Sequence, residues 1–172
     1  MTRQELIRNK GVDMADLISQ LREASAILRQ SVAGLSNAEL EATPVPGKWS
    51  TRAAVEHVAR VNLGWSDMFY EAIGNGARSD CNRNPKWLAE EDARAGRSMD
   101  DALDVFERNA NCVADYLETL PASDWTRKFP PVQWLTIDCE IRDHLHWGIV
   151  GHMHHHIQFI EEKRAAMHHP AG

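Results

Sequence analysis

The residues best suited to chemistry lie in one late run, Gly151-His152-Met153-His154-His155-His156-Ile157. His152 and His156 are four residues apart, so on a helix their rings share a face. Imidazole is the commonest side-chain metal ligand. Two on one face supply half of a tetrahedral site, or a third of an octahedral one. A third histidine, His57, lies far upstream among Ala54, Val58 and Val61, on the apolar side of another helical stretch. Together the three point to a divalent-metal site inside a helical bundle.

A plainer account must be weighed against this. A lone histidine on an apolar face is ordinarily a core residue satisfied by a hydrogen bond, and HxxxH arises by chance in many helices. The run could equally be solvated, or a fragment of an affinity tag. Against the tag, Ile157, Phe159 and Ile160 continue the helical pattern at once, and Met153 interrupts the run. An apolar row holding two imidazoles must desolvate both, and protonating them there costs still more. A shared cation resolves this, because neutral imidazoles bind it through nitrogen. Met153 at the second position excludes an HExxH metalloprotease.

Helical angles rank the other histidines. His154 stands about 200° from His152 and faces away. His155 is offset from the inward row, either supporting the ligands from behind or simply exposed. His144 and His146 lean to the sides, and His168 and His169 fall in the tail. All six are set aside as direct ligands.

The elements that must position these residues read as helices. A period close to 3.6 runs along nearly the whole chain, and strand-type alternation is absent. A first helix spans about residues 13–33, capped by Asp13, striped by Leu17, Leu21, Ala24 and Leu28, and stopped by Gly34. Residues 37–42 add a short turn, and Thr43-Pro44-Val45-Pro46-Gly47 is a loop. A second helix follows Ser50 and ends near Gly74-Asn75-Gly76. Residues 77–97 are polar and read as a long loop, of the kind often used as a lid or binding loop. Ser98 caps a third helix, with Asp100 and Asp101 where the dipole favours them, and Pro121 closes it. Residues 129–134 are extended, and Thr136 caps a fourth helix reaching Met167. Its inward row is Ile137, Ile141, Leu145, Ile149, His152, His156 and Ile160. The expected fold is all-α: a four-helix bundle with long connections between helices 1 and 2 and between 2 and 3, forming one domain over residues 1–172. Such bundles can hold metals in their core.

Gross properties narrow the function. A chain of 172 residues can bury a core without staples. A net charge of −6, with pI near 5.8 and no basic run, argues against nucleic acid. No stretch is apolar enough to span a membrane, and the polar start lacks a signal-peptide pattern, so the expected location is cytoplasmic. Cys81, Cys112 and Cys139 form no CxxC pair and read as reduced thiols. Six tryptophans suggest that several sit at pocket edges, where the indole N–H finds a partner.

With these residues in view, the chain resembles the DinB-like (damage-inducible, YfiT-like) superfamily. Gly47-Lys48-Trp49-Ser50, followed after six residues by His57, is similar to that family's "WS…H" opening of helix two. The run from His152 to Ile157 is similar to its last-helix HxxHH signature. The resemblance covers residues 13–165 and implies an up-down-down-up bundle. It implies a metal held by His57, His152 and His156, and pairing into a homodimer. Two positions depart from the family pattern: Met153 stands where a glutamate is common, and Phe159 where a glutamine is.

Three neutral imidazoles leave at least one position open and leave the cation its full +2 charge, which acidifies a bound water or thiol. Either can then attack a small-molecule electrophile. The resemblance implies S-transferases or isomerases that use bacillithiol, mycothiol or glutathione, with a hydrolase as the other route. Zn and Ni suit the site first, Fe and Mn next. Asp143, Glu140 and His155 are candidate proton carriers, and no pattern singles one out. Trp49 either walls the site beside His57 or packs in the core. The reading from another class is a helical module whose metal is structural or senses stress.

Overall fold

The computed structural model describes residues 13–60, 98–128 and 140–168. Among these residues the secondary structure is helical, apart from one isolated antiparallel bridge between Lys128 and Glu140. Helix α1 is Met14–Val32, α2 is Asn37–Glu41, and α3 covers residues 51–60. Helix α4 is Met99–Glu118 and α5 is Ala122–Trp125. The last helical stretch begins as α6, Ile141–His144, passes through a π-helical turn at Leu145–Val150, and continues as α7, Gly151–His168.

Local chemistry sets the boundaries. The Asp13 side chain accepts from the Ala15 amide at 3.1 Å, and Gly34 leaves α1 in the left-handed region at φ 78°. Ser36 and Glu39 cap α2 reciprocally. The Ala53 amide donates to Ser50 Oγ at 3.1 Å, and the Asp101 amide donates to Ser98 Oγ at 3.0 Å. These starts agree with the sequence. Helix α5 was not foreseen: Pro121 ends the run after α4 and then stands at the N-cap of a further short turn.

Packing gives the directions. Arg22 of α1 pairs with Asp115 at 2.7 Å and Glu118 at 3.0 Å on α4, whereas Arg29 reaches back to Asp104 and Glu107. Later residues of one helix meet earlier residues of the other, so α1 and α4 are antiparallel. Arg164 of α7 donates to the Ser31 carbonyl at the end of α1, so α1 and α7 run the same way. The starts of α3 and α4, at Arg52 and at Ser98 and Met99, line one cavity with the end of α1, and further along Asn109 Nδ2 donates to the Ala59 carbonyl at 3.2 Å. Helices α3 and α4 are therefore parallel. The order is up-down-down-up, in a four-helix bundle. Leu17, Leu21, Ala24 and Leu28 of α1, Phe106, Val113 and Leu117 of α4, and Ile141, Leu145, Ile149 and Ile160 of the last helix are all buried in its core.

Three expectations need correction. The last helix is capped by Glu140, not Thr136: the Glu140 amide donates to Asp143 Oδ2 at 3.1 Å. The bridge to Lys128 and the bond from the Ile141 amide to the Arg127 carbonyl hold the chain extended at this point, so the helix starts later. Thr136, Ile137, the 129–134 segment, the 77–97 loop and the end of the second helix lie outside the described residues. The helix is also not uniformly α, because Gly151 N–H donates to the His146 carbonyl five residues back. Finally, Cys112 is disulfide-bonded, which overturns the reading of three reduced thiols.

Candidate metal centre

The up-down-down-up order sets α3 beside α7 and turns their inward residues toward one another. His57 comes from the second turn of α3, His152 and His156 from the first two turns of α7. One imidazole nitrogen from each lies within 4.8 Å of the other two. Ring centroids are 5.4 Å apart for His57 and His152, 4.9 Å for His57 and His156, and 4.6 Å for His152 and His156. The Nε2 atoms of His152 and His156 approach to 3.1 Å. Two nitrogens at Zn–N bonds of about 2.0–2.1 Å stand about 3.3 Å apart in a tetrahedron, so this pair fits one small cation. Among the described residues no fourth His, Cys, Asp or Glu joins the group.

The electrostatics keep the rings neutral. Burial pushes His152 down to about 4, with smaller contributions from the charges of His57 and His155. Burial pushes His156 down to about 3, reinforced by its histidine neighbours and Lys163. His57 is also lowered, by burial first and then by Arg60. At neutral pH all three therefore present nitrogen lone pairs, the form a cation requires. His156 Nδ1 is buried without a hydrogen-bond partner, so its ring is not steered by an acceptor behind it.

Trp49 walls the cluster. Its indole meets His57 edge-on at 4.7 Å and stacks on His156 at 6.0 Å with an 11° tilt. It is 49 % exposed, so it belongs to the rim of the site and not to the core. A cavity of about 190 Å³ opens beside it, lined by Gly47, Lys48, Trp49, His155, His156 and Phe159. A larger cavity of about 710 Å³ lies between the end of α1 and the starts of α3 and α4. Its arginines are already engaged, Arg52 with Glu41 and Arg29 with Asp104 and Glu107, and it contains no histidine.

The remaining candidates fall elsewhere. His155 is exposed, with its ring 5.6 Å from that of His156. Asp143 and Glu140 are used in capping, and Glu140 also pairs with Arg142 at 2.8 Å, so neither is a proton carrier at the cluster. His144 does not lean aside: it is fully buried, its ring 5.1 Å from Trp147. On an unbroken α-helix, eight residues would put it about 80° from His152. The π-turn absorbs one residue and brings the two within about 20°. Sequence reasoning also missed Lys163, which is fully buried with its ammonium 4.0 Å from the Phe159 ring. It stands seven residues after His156, hence in phase with it.

Comparison with solved structures finds YfiT from Bacillus subtilis, described as a probable metal-dependent hydrolase with an unusual four-helix bundle topology. The two match with a TM-score of 0.74 at 21% identity, over 93% of this chain and 92% of that one, a likeness of fold. No curated protein matches. The family model of the DinB superfamily matches residues 20–160, a span that takes in α3, α4 and both α7 histidines. The chain belongs to the DinB superfamily.

Proposed function

We propose that this protein is a metal-dependent enzyme in which His57, His152 and His156 hold a divalent cation that activates a small nucleophile against an electrophilic substrate. One observation carries the reading: three neutral imidazoles from two helices converge within 4.8 Å, without a fourth protein ligand among the described residues and with a cavity at their side. A structural site is ordinarily closed by four protein ligands, whereas a catalytic one keeps a vacancy. When bound, the cation supplies Lewis acidity that lowers the pKa of water or of a small thiol.

The chain's own groups orient and shield. Trp49 and Phe159 line the wall of the cavity, which limits water around the cluster. The cavity of about 190 Å³, the volume of roughly six waters, seats the reacting end of a substrate or thiol. Hydrolysis and thiol S-transfer remain the two chemistries, with bacillithiol, mycothiol or glutathione as the thiol class and Zn or Ni as the first candidates for the cation. The likeness in fold to YfiT supports the hydrolytic route.

The test is metal analysis of protein purified without added metal or tag, paired with a screen of esters, amides and thiol-plus-electrophile mixtures. Stoichiometric metal that is lost in His152→Ala, with turnover abolished by His57→Ala in a folded protein, supports the proposal. Metal without turnover or an exchangeable water supports the structural or sensing module instead.

A further inference from the structure

The loop that leads into α3 places an ammonium at the cavity beside the histidines. Lys48 N–H donates to the Val45 carbonyl at 3.2 Å, across Pro46 and Gly47. Gly47 has φ 73°, and a proline followed by a glycine of positive φ makes this a type II turn. Two residues after Lys48, the Ser50 side chain caps α3 by accepting from the Ala53 amide. Lys48 and Trp49 are therefore held between two anchored points, and the helix that follows carries His57. Trp49 meets the rings of His57 and His156, while Lys48 Nζ lies 5.3 Å from the centre of the Phe159 ring.

That placement has a chemical meaning. Lys48, Trp49, His156 and Phe159 all line the one cavity of about 190 Å³. An exposed lysine carries about 2 kcal/mol of rotamer entropy. Contact with an aromatic face returns about 0.5–1 kcal/mol at an exposed site, which favours the rotamers that keep the ammonium over Phe159. An ammonium has three N–H donors, and a ring face engages it from one side only. The lining thus combines an ammonium, an imidazole of the metal cluster and two aromatic walls. A net charge of −6 repels anions at long range, and an ammonium at the rim reverses that locally for a ligand that reaches it.

We infer that Lys48 is a specificity-determining residue: it receives the carboxylate of a substrate whose reacting group lies at the histidine cluster. The position of the reacting group rests on the metal-dependent reading above; the pairing of Lys48 with a carboxylate does not. The carboxylate accepts a charge-assisted hydrogen bond from the ammonium. The link between carboxylate and reacting group is short and apolar, because it lies against Trp49 and Phe159. His156 and Phe159 are three residues apart, so their β-carbons stand about 5–6 Å apart. Roughly four bonds cover that distance. Lys48 is exposed, so the pair is partly screened by solvent and acts on the choice of substrate more than on the chemical step.

The experiment is calorimetric titration of the zinc-loaded full chain at pH 7, with 3-mercaptopropionate and its neutral isostere 3-mercaptopropanamide as probes. The quantity read is the ratio of the two affinities in wild type, Lys48→Met and Lys48→Arg. Any preference that arises from the cation alone is common to all three proteins, so the change in ratio isolates residue 48. The ratio is expected to fall about fivefold in Lys48→Met, the size of an exposed charge pair, and to stay within about twofold of wild type in Lys48→Arg. In wild type it should also shrink as salt is raised. A ratio unchanged by Lys48→Met, one lost equally in Lys48→Arg, or no binding of either probe to wild type would overturn the inference. Zinc content is measured first. A wild type that takes up no zinc sinks the metal reading; the same titrations on metal-free protein then decide the role of Lys48 by the same ratio.

Discussion

His152 and His156 face one another through their Nε2 atoms at 3.1 Å, one helical turn apart, with the His57 ring closing the third side. Two imidazoles this close cannot both be protonated without strong repulsion, and one N–H between them leaves the third ring unserved. The arrangement is stable chiefly with all three rings neutral. A divalent ion is the one partner that uses three lone pairs at once.

Metal removal is the first consequence. A ligand that binds only the folded state stabilises it by about 2.7 kcal/mol at a hundredfold excess over its dissociation constant. Thermal unfolding with and without chelator should show a drop in Tm of several degrees for wild type. His57→Ala and His152→Ala should give melting curves that chelator does not move. A chelator-sensitive Tm in His152→Ala would rule out the cluster as the binding site.

The metal-free protein should also respond to acid in a defined window. Buried histidines whose pKa is pushed down stay neutral in the fold while the unfolded chain takes up protons below about 6.5. Stability is then complete above that value and is lost as pH falls toward the folded values, about 4 for His152 and about 3 for His156 and His144. Each such group contributes a slope of up to about 1.4 kcal/mol per pH unit. Urea denaturation of metal-free protein between pH 7 and pH 4 measures the sum. His144→Phe, which removes a fully buried titrating ring, should flatten the slope by one group's share. An unchanged slope would show that His144 does not titrate on unfolding.

Trp49 offers a separate handle. It contacts the rings of His57 and His156 and is itself half exposed. Trp49→Ala should leave the fold intact but loosen both rings, weakening metal binding by about tenfold, as loss of supporting contacts around a metal site does. Trp49→Phe should recover most of that loss. Competition titration with a chromophoric chelator checks both variants, and equal affinities for wild type and Trp49→Ala would refute the role.

Gly151 joins the π-turn to α7. A β-carbon there would stand 3.1 Å from the His146 carbonyl oxygen, a backbone atom with little room to yield. Alanine gains about 1 kcal/mol in helix propensity. The crowding opposes this, so the net change in stability should stay within about 1 kcal/mol. The strain falls on the residue before His152, and metal affinity should drop by more than stability does. Measuring both quantities for Gly151→Ala tests the claim, which fails if affinity is untouched.

Much of this arrangement was legible in the residues, for identifiable reasons. The i, i+4 spacing of His152 and His156, and the Ser50 cap that sets the phase of His57, survive any small error in helix ends. The stripe of α1 and the Ser98 cap are equally local signals. What escaped depended on partners far along the chain or on breaks in the period. The Glu140 start is enforced by Arg127 and Lys128, which no local pattern reveals. The π-turn has no strong composition, so His144 was placed by an angle that the helix does not keep. Lys163 shares the phase of His156, but lysine is almost never fully buried, so its residue type gives no sign of its place in the core.

The π-turn also bears on reuse of the site. The stretch before it and the stretch after it are out of step by one residue, so the last helix behaves as two pieces spliced with a spare unit between them. A protein engineer grafting His152 and His156 onto an ideal straight helix must delete one position upstream to keep the same neighbours beneath them. Without that deletion, everything above the splice turns by about 100°, and the engineered helix presents a different seam to its bundle.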